Sequence, residues 1–438
     1  MPATSDSPVA PTTPRGLQAD DAASIGERYA TVRQFTETLC DPLETEDFVV
    51  QTKENVSPTK WHLAHTSWFF ETFILEEHYD GYEPLNEQYA YLFNSYYIQA
   101  GERHCRDRRG YISRPTVEQV FAYRRYVDDH MRELIATADG EKRRALAPLV
   151  EIGLHHEQQH QELMVTDIKH VFSVNPLRPA YRDLMPPANQ ATADLEWIGF
   201  DEGIYEVGYD GDGFHFDNEA PRHKTYLQSF ELANRLVTNG EFIEFIEDGG
   251  YERPELWLSE GWSTVQEREW TEPFYWEKHD GQWYLYTLGG MRAVNPAEPA
   301  CHITYFEADA FARWAGARLP EEKEWEIAVR DQPIRGNFVD EGNFHPTPLA
   351  PDAERGQLHQ MYGDVWEWTR SAYSPYPGYE PLPGAIGEYN GKFMCGQFVL
   401  RGGSCATSRS HIRPTYRNFF YPDESWQFMG FRLARDPE

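Results

Sequence analysis

Cysteine is scarce in this 438-residue chain: there are five (Cys40, Cys105, Cys301, Cys395, Cys405), an odd number with no CxxC spacing. That argues against a disulfide framework or a thiolate zinc site and favours a reducing cytoplasm. Positive charge is also short, with 40 Lys and Arg against 71 Asp and Glu. The net charge of −31 repels phosphate backbones and anionic headgroups, so neither nucleic acid nor a membrane is an expected partner. No run approaches the roughly 18 apolar residues of a membrane span, and the most apolar stretch, WFFETFIL, is short and broken by Glu71. The opening residues, MPATSDSPVAPTTPRG, lack a basic segment followed by an apolar one and read as a disordered tail rather than a signal peptide. What is present is aromatic: 15% Phe, Trp and Tyr, including 13 Trp. That is more large apolar surface than a disordered chain carries, and the length suits two cores.

Helical periodicity runs through segments near 22–44, 57–80, 116–138 and 141–172, which predicts an all-α four-helix bundle. Ser57-Pro58 is expected to cap and open the second helix, and Arg114-Pro115-Thr116 to open the third. The loop between them, YLFNSYYIQAGERHCRDRRGYISRP, is long, aromatic and basic, as functional loops in compact domains tend to be. NPLRPAYRDLMPPANQATAD is proline-rich and unperiodic, a linker. Beyond it come short alternating runs, many Gly and Trp, and two modest helices in VTNGEFIEFIEDGG and TYFEADAFARWAG, which predict an α+β domain. The expected organisation is a tail over 1–21, the bundle over 22–175, a linker over 176–194 and the α+β domain over 195–438.

On the fourth helix Ile152, His156, His160, Met164 and Ile168 step by four, so two histidines occupy the buried stripe. Two imidazoles one turn apart chelate a divalent metal, or else are buried neutral groups each satisfied by a hydrogen bond. The second helix supplies a third nitrogen: Trp61, His65, Trp68, Thr72 and Leu75 again place a histidine among core residues. His62 points about a quarter turn away and His155 lies off its stripe, which suits surface or supporting groups. Three neutral imidazoles suit zinc with an open position, or iron(II) with several, and spacing does not choose between them. Gln159 lies beside the ligands, placed either to bond a substrate or to make an interhelical contact.

These residues resemble a known family. HHEQQHQELM with KWHLAHTSWFFE resembles the DinB-type metal-binding bundle of ergothioneine-biosynthesis sulfoxide synthases. VTNGEF, FEADAFARWAGARLPEEKEWEIA, GDVWEWT, LRGGS and GFRLAR resemble the formylglycine-generating-enzyme domain, a variant of the C-type lectin fold. The pair in this order is specific to that synthase group and the related ovothiol synthases. The resemblance implies an oxygen-dependent Fe(2+) enzyme that joins the sulfur of cysteine or γ-glutamylcysteine to C2 of the imidazole of hercynine, with His65, His156 and His160 as the iron ligands.

It also implies roles for other residues. One branch carries a Trp-Asp pair after the C-terminal asparagine, whereas this chain reads RNFFYPD, and the Tyr96-Tyr97 pair of NSYY resembles the branch in which bundle-loop tyrosines are catalytic. As plain loop residues the two would anchor the loop to the core. Arg103, Arg106 and Arg109 recur every three residues; Arg103 and Arg106 are assigned to the donor's carboxylate, against a solvated basic loop as the alternative. Phe419 and Phe420 suit the trimethylammonium by cation–π attraction and Asn418 the substrate carboxylate, although two phenylalanines also simply fill cores. A copper-binding cysteine pair would fall near Thr407 and Ile412, where there are no thiols, and Cys405 is alone. The remaining alternatives are an ovothiol-type synthase acting on histidine, a zinc-dependent DinB-type thiol transferase and a lectin-like binding module on a helical stalk.

Overall fold

The computed structural model describes residues 22–184 and 191–437. The expected tail and residues 185–190 of the expected linker lie outside the described residues. Four long helices form the first domain: α1 (Ala22–Thr38), α2 (Thr59–Phe70), α3 (Val117–Thr137) and α4 (Gly140–Val174). α1 and α2 each pack against both α3 and α4. α2 continues through a π-helical turn, Glu71–Leu75, which relieves the helical register just after the histidine stripe.

Local chemistry sets the helix starts, in one case against expectation. Thr116 caps α3 in a box with Gln119. Ser57 does not cap α2, which begins at Thr59 after Pro58. Its hydroxyl accepts from Arg109 and its N–H donates to Asp167 instead. The loop between α2 and α3 is not structureless: it holds a short helix, Gln88–Phe93, and a 3-10 turn, Arg106–Tyr111.

All four helices meet in a buried charge network. Arg33 of α1 bonds Asp128 of α3 at 2.6 Å, Glu157 of α4 at 2.9 Å and Ser67 of α2 at 3.0 Å. Arg124 of α3 and Thr36 close on Glu157 at 2.6 Å each. A Cβ at Gly153 would lie 2.6 Å from the Phe70 ring, so α4 approaches α2 this closely only because residue 153 has no side chain.

The second domain is α+β. Helices Asn239–Glu247 and Tyr305–Trp314 start at capping boxes on Thr238 and Thr304, as the two periodic segments predicted, and Ser259–Arg268 and Glu322–Val329 join them. A four-stranded sheet comprises β1 (Trp366–Ala372), β2 (Phe398–Arg401), β3 (Asn418–Phe420) and β4 (Met429–Gly430) in the order β3-β2-β1-β4. β1–β2 and β2–β3 are antiparallel and β4 is parallel to β1.

The bundle is docked into this domain by polar residues of α4. Glu162 accepts from Trp366 Nε1 at 2.9 Å, Ser404 Oγ at 2.5 Å and Thr407 Oγ1 at 2.8 Å. GDVWEWT and LRGGS therefore serve the interface. Thr407, a position expected for a copper thiol, serves it too. Tyr181, in the expected linker, is buried and donates to the Leu39 carbonyl.

Candidate metal centre and substrate cavity

His65, His156 and His160 converge, with one ligand atom from each lying within 4.8 Å of the others. Their partners fix which nitrogen faces inward. His65 Nδ1 donates to the Phe93 carbonyl at 2.5 Å, which leaves the Nε2 lone pair free. Asp167 accepts from His62 Nε2 at 3.0 Å, so His62 Nδ1 is an acceptor for His160 Nδ1 at 2.8 Å, and His160 Nε2 is also free. His62 is thus a buried supporting group and not a surface one. His156 Nδ1 is buried without a partner among the described residues.

His65 Nε2 and His156 Nε2 stand 3.2 Å apart. Two imidazole ligands of one metal ion, each bound at about 2.0–2.1 Å and roughly a right angle apart, have that separation. Burial pushes all three imidazoles below the ordinary histidine range, His156 to about 3, so each is a neutral lone-pair donor at neutral pH. The donor set therefore fits a divalent metal.

The centre opens on a cavity of about 170 Å³ between the domains. On the bundle side, rings and cations stack in a column: Arg109 lies 3.3 Å over Trp61, whose indole stacks on His65 at 4.6 Å, and Trp68 stacks on the far face of that imidazole at 5.3 Å. Arg109 donates to Ser57 Oγ and Ser95 Oγ, and Arg106 to the Tyr96 hydroxyl and the Asn55 carbonyl. Among the described residues both Nε atoms are buried and unpartnered, and neither arginine pairs with a carboxylate. Burial, with Arg106 adjacent, pulls Arg109 down to about 9. By contrast Arg417, also in the wall, is neutralised by Glu322 at 2.9 and 3.0 Å. The cavity thus presents two cations that lack an anion.

The arginine assignment needs one correction. Arg106 and Arg109 reach the cavity, whereas Arg103 is exposed outside it and donates to the Ser95 carbonyl. The three-residue spacing does not hold geometrically, because Arg103 lies before the 3-10 turn that carries the other two.

The remaining expected residues all line the cavity. Tyr97 is buried against Trp68 and Phe73, and burial pushes its hydroxyl up. Tyr96 is half-buried, with its hydroxyl on Arg106. Gln159 donates to the Tyr416 hydroxyl at 2.8 Å, a contact to the second domain and not between helices, while still facing the cavity. Phe419 stacks on Tyr373 at 4.1 Å and Phe420 meets Trp426 edge-on at 5.6 Å. Asn418 caps its own strand, accepting from the Phe419 N–H.

Residues 182–355 and 342–437 match the sulfatase-modifying factor enzyme 1-like domain, and residues 28–164 match the DinB superfamily. A hercynine oxygenase of Mycobacterium tuberculosis is 33% identical over 335 residues, covering 70% of this chain and 77% of the relative. That of Mycolicibacterium smegmatis is 34% identical over 312 residues, covering 65% and 70%. The chain belongs to the hercynine oxygenase family. As a member it is an oxygenase.

A formylglycine-generating enzyme of Streptomyces coelicolor is more distant, 28% identical over 272 residues, covering 52% of this chain and 85% of the relative. In this hercynine oxygenase family member the second domain lends walls to the cavity. Ile412, the other position considered for a thiol, packs against Gly403, where φ is +84° and an added Cβ would lie 3.0 Å from Ile412.

Sequence reasoning passed over Asp167, Tyr416, His411 and Tyr389. His411 Nε2 lies 2.9 Å from the Tyr416 hydroxyl, and its Nδ1 2.9 Å from His155 Nδ1. His155 is thus buried at the interface and not on the surface. Only Asp167 left a legible signal: it stands seven residues, two helical turns, after His160.

Proposed function

We propose that the protein is a non-haem iron(II) sulfoxide synthase of ergothioneine biosynthesis that joins the sulfur of cysteine or γ-glutamylcysteine to the imidazole C2 of hercynine. The overall reaction balances as thiol plus imidazole C–H plus dioxygen giving sulfoxide plus water. The observation that carries the reading is the juxtaposition of three neutral imidazoles with two unpaired arginines and an aromatic wall in one interdomain cavity.

Iron(II) held by His65, His156 and His160 would supply the one-electron chemistry with dioxygen that a thiol and an imidazole lack, with coordination positions left for substrate. The protein's own residues do the rest. Arg106 and Arg109 bind the donor's carboxylate, with Nε–H groups that have no other partner. Phe419 and Phe420 present ring faces to the trimethylammonium, which has no N–H to satisfy. Gln159, steadied by Tyr416, faces the imidazole, and Asn418 the hercynine carboxylate. Tyr96 and Tyr97 stand on the bundle side. Arg106 holds the Tyr96 hydroxyl in place, so Tyr96 is the better placed of the two to deliver or take a proton at its oxygen. The few cysteines fit a cytoplasmic location, and no helix among the described residues is long and apolar enough to cross a membrane.

The test is oxygen uptake with product mass analysis on anaerobically purified, iron(II)-loaded protein given hercynine and either donor, with His160→Ala as control. Oxygen-dependent hercynyl sulfoxide, lost in the variant, is the expected result and names the donor. No uptake with either donor, together with zinc in the protein as isolated, would overturn the reading in favour of a zinc thiol transferase.

A further inference from the structure

The tyrosine loop of the bundle, residues 94–101, is gripped from the other domain by one short segment, residues 385–393. Two kinds of side chain alternate along that segment. The Glu388 carboxylate accepts the N–H of Ile98 at 3.0 Å and of Gln99 at 2.8 Å. Lys392, one turn later, pairs with Glu388 at 3.0 Å and donates to the Tyr96 carbonyl. Tyr389 and Phe393 face the cavity. The Phe393 ring meets Tyr96 edge-on at 5.0 Å and Tyr389 lies 6.3 Å from it. The same two rings approach Phe419 at 5.8 and 6.3 Å.

Stability alone gives a poor account of this arrangement. Lys392 is exposed and Glu388 half-buried, and ion pairs so placed contribute little to folding. The backbone N–H groups of exposed Ile98 and Gln99 would bond water equally well. What the contacts accomplish is geometric. Inside the bundle, Asn94 bonds the Tyr97 N–H and carbonyl, Arg103 and Arg109 bond Ser95, the Tyr97 ring packs on Trp68 and Phe73, and Arg106 bonds the Tyr96 hydroxyl, but none of these contacts bonds the backbone of Tyr96, Ile98 or Gln99. Glu388 and Lys392 fix the backbone on both sides of Tyr97, while Phe393 and Tyr389 fix the Tyr96 ring against the wall that contains Phe419.

We infer that Glu388 and Lys392 are positioning residues for Tyr96, a clasp between the domains that makes productive placement of the phenol depend on closure of the cavity. The inference rests on the synthase reading above. With the phenol in place, the imidazole C2 proton is managed and one oxygen atom leaves as water. With the loop slack, the thiol is oxidised without its partner, as thiol plus dioxygen giving sulfinic acid, in which both oxygen atoms end on sulfur and no imidazole proton moves. The clasp therefore governs the partition between coupled and uncoupled products.

The experiment measures hercynyl sulfoxide and sulfinic acid formed by the full-length, iron-loaded protein carrying Glu388→Ala, Lys392→Met or Lys392→Arg. Amide exchange at Ile98 and Gln99 in the metal-free proteins is followed in parallel. Glu388→Ala and Lys392→Met are expected to lower the sulfoxide-to-sulfinate ratio at least fivefold while total oxygen uptake stays within about twofold, and Lys392→Arg to keep the native ratio. In Glu388→Ala, Ile98 and Gln99 exchange faster while the amides of β2 keep their protection. An equal fall of both products with the ratio unchanged would mean a structural role only and overturns the clasp, as does unaltered exchange at Ile98 and Gln99. If the unsubstituted protein forms no sulfoxide, the synthase reading fails instead, and the exchange data still decide whether Glu388 holds the loop.

Discussion

His156 and Glu157 are adjacent on α4, both buried in the bundle, and they belong to opposite kinds of polar cluster. Glu157 is saturated: Arg33, Arg124 and Thr36 all donate to it, and each helix of the bundle contributes to the network around Arg33. His156 faces the other way, into a group of neutral imidazoles where two nitrogens stand 3.2 Å apart and its own Nδ1 has no partner among the described residues. A complete charged network holds helices in register, whereas an incomplete one that opens on a cavity is built for something that completes it. Arg106 and Arg109, on the bundle side of the cavity and without a described carboxylate, follow the second pattern and Arg417 the first.

The largest expected effect falls on the incomplete cluster, with almost none on the fold. His160→Ala should abolish metal loading and oxygen uptake, yet leave the melting temperature of the metal-free protein nearly unchanged, because the lost imidazole is desolvated and uncharged. Metal analysis and a thermal melt on one preparation test both halves. A large drop in melting temperature would erase the distinction between the clusters.

Glu157→Gln is expected to do the reverse. Removing the anion leaves the buried Arg33 and Arg124 with only Asp128 and the partly exposed Glu37 as partners, at a cost of about 3 kcal/mol by urea unfolding, the low end for breaking a buried pair. Burial pushes the Glu157 carboxyl up, but the Arg124 and Arg33 guanidiniums outweigh it and hold the group at about 2, below the ordinary carboxylate value. Its contribution is therefore complete above the unfolded-state pKa of about 4.5 and is lost as pH falls through that value toward 2. The unfolding midpoints of the native protein and of the Glu157→Gln variant should converge over that window and stay parallel above it.

Arg109→Met tests the second pair of patterns. Loss of a hydrogen-bonded cation that binds a carboxylate costs about 1.5–3 kcal/mol, which is roughly a 10- to 100-fold rise in KM for the thiol donor with that for hercynine unchanged. An equal rise for both substrates would place Arg109 in the general architecture of the cavity.

The sequence disclosed the two clusters unequally. His65, His156 and His160 were legible because imidazole at four-residue spacing breaks an apolar stripe, and the domain order was legible from motifs. Glu157 and Arg33 were not, since a charged residue on a helix is ordinarily a solvated one and their pairing spans more than a hundred positions. Even spacing makes Arg103, Arg106 and Arg109 look alike and hides the change from open loop to 3-10 turn between the first and the other two. Tyr389 and Phe393 were invisible for a further reason: they reach the site from a short segment of the second domain that carries no periodic or motif signal and lies far in sequence from the histidines.

Asp167 sharpens the comparison because it belongs to both sides of it. Its carboxylate accepts from the Ser57 N–H at 2.8 Å and Trp426 Nε1 at 3.0 Å, contacts that tie α2 and the second domain to α4, and also from His62, which orients His160. The Ser57 N–H and His62 Nε2 share one carboxylate oxygen, Oδ2, and Trp426 takes the other, so an Asp167→Asn amide whose nitrogen replaces Oδ2 keeps only the Trp426 bond. That nitrogen is a donor and would face His62 Nε2 as well as the Ser57 N–H, turning the His62 ring's preferred tautomer and with it the hydrogen bond that frees His160 Nε2. Asp167→Asn should therefore cost about tenfold in metal affinity, the low end for such supporting groups, with a fall in the metal-free melting temperature smaller than that of Glu157→Gln. A stability loss as large as that of Glu157→Gln would move Asp167 wholly into the saturated class, and an unchanged metal affinity would show that His160 does not need the His62 link to present its lone pair.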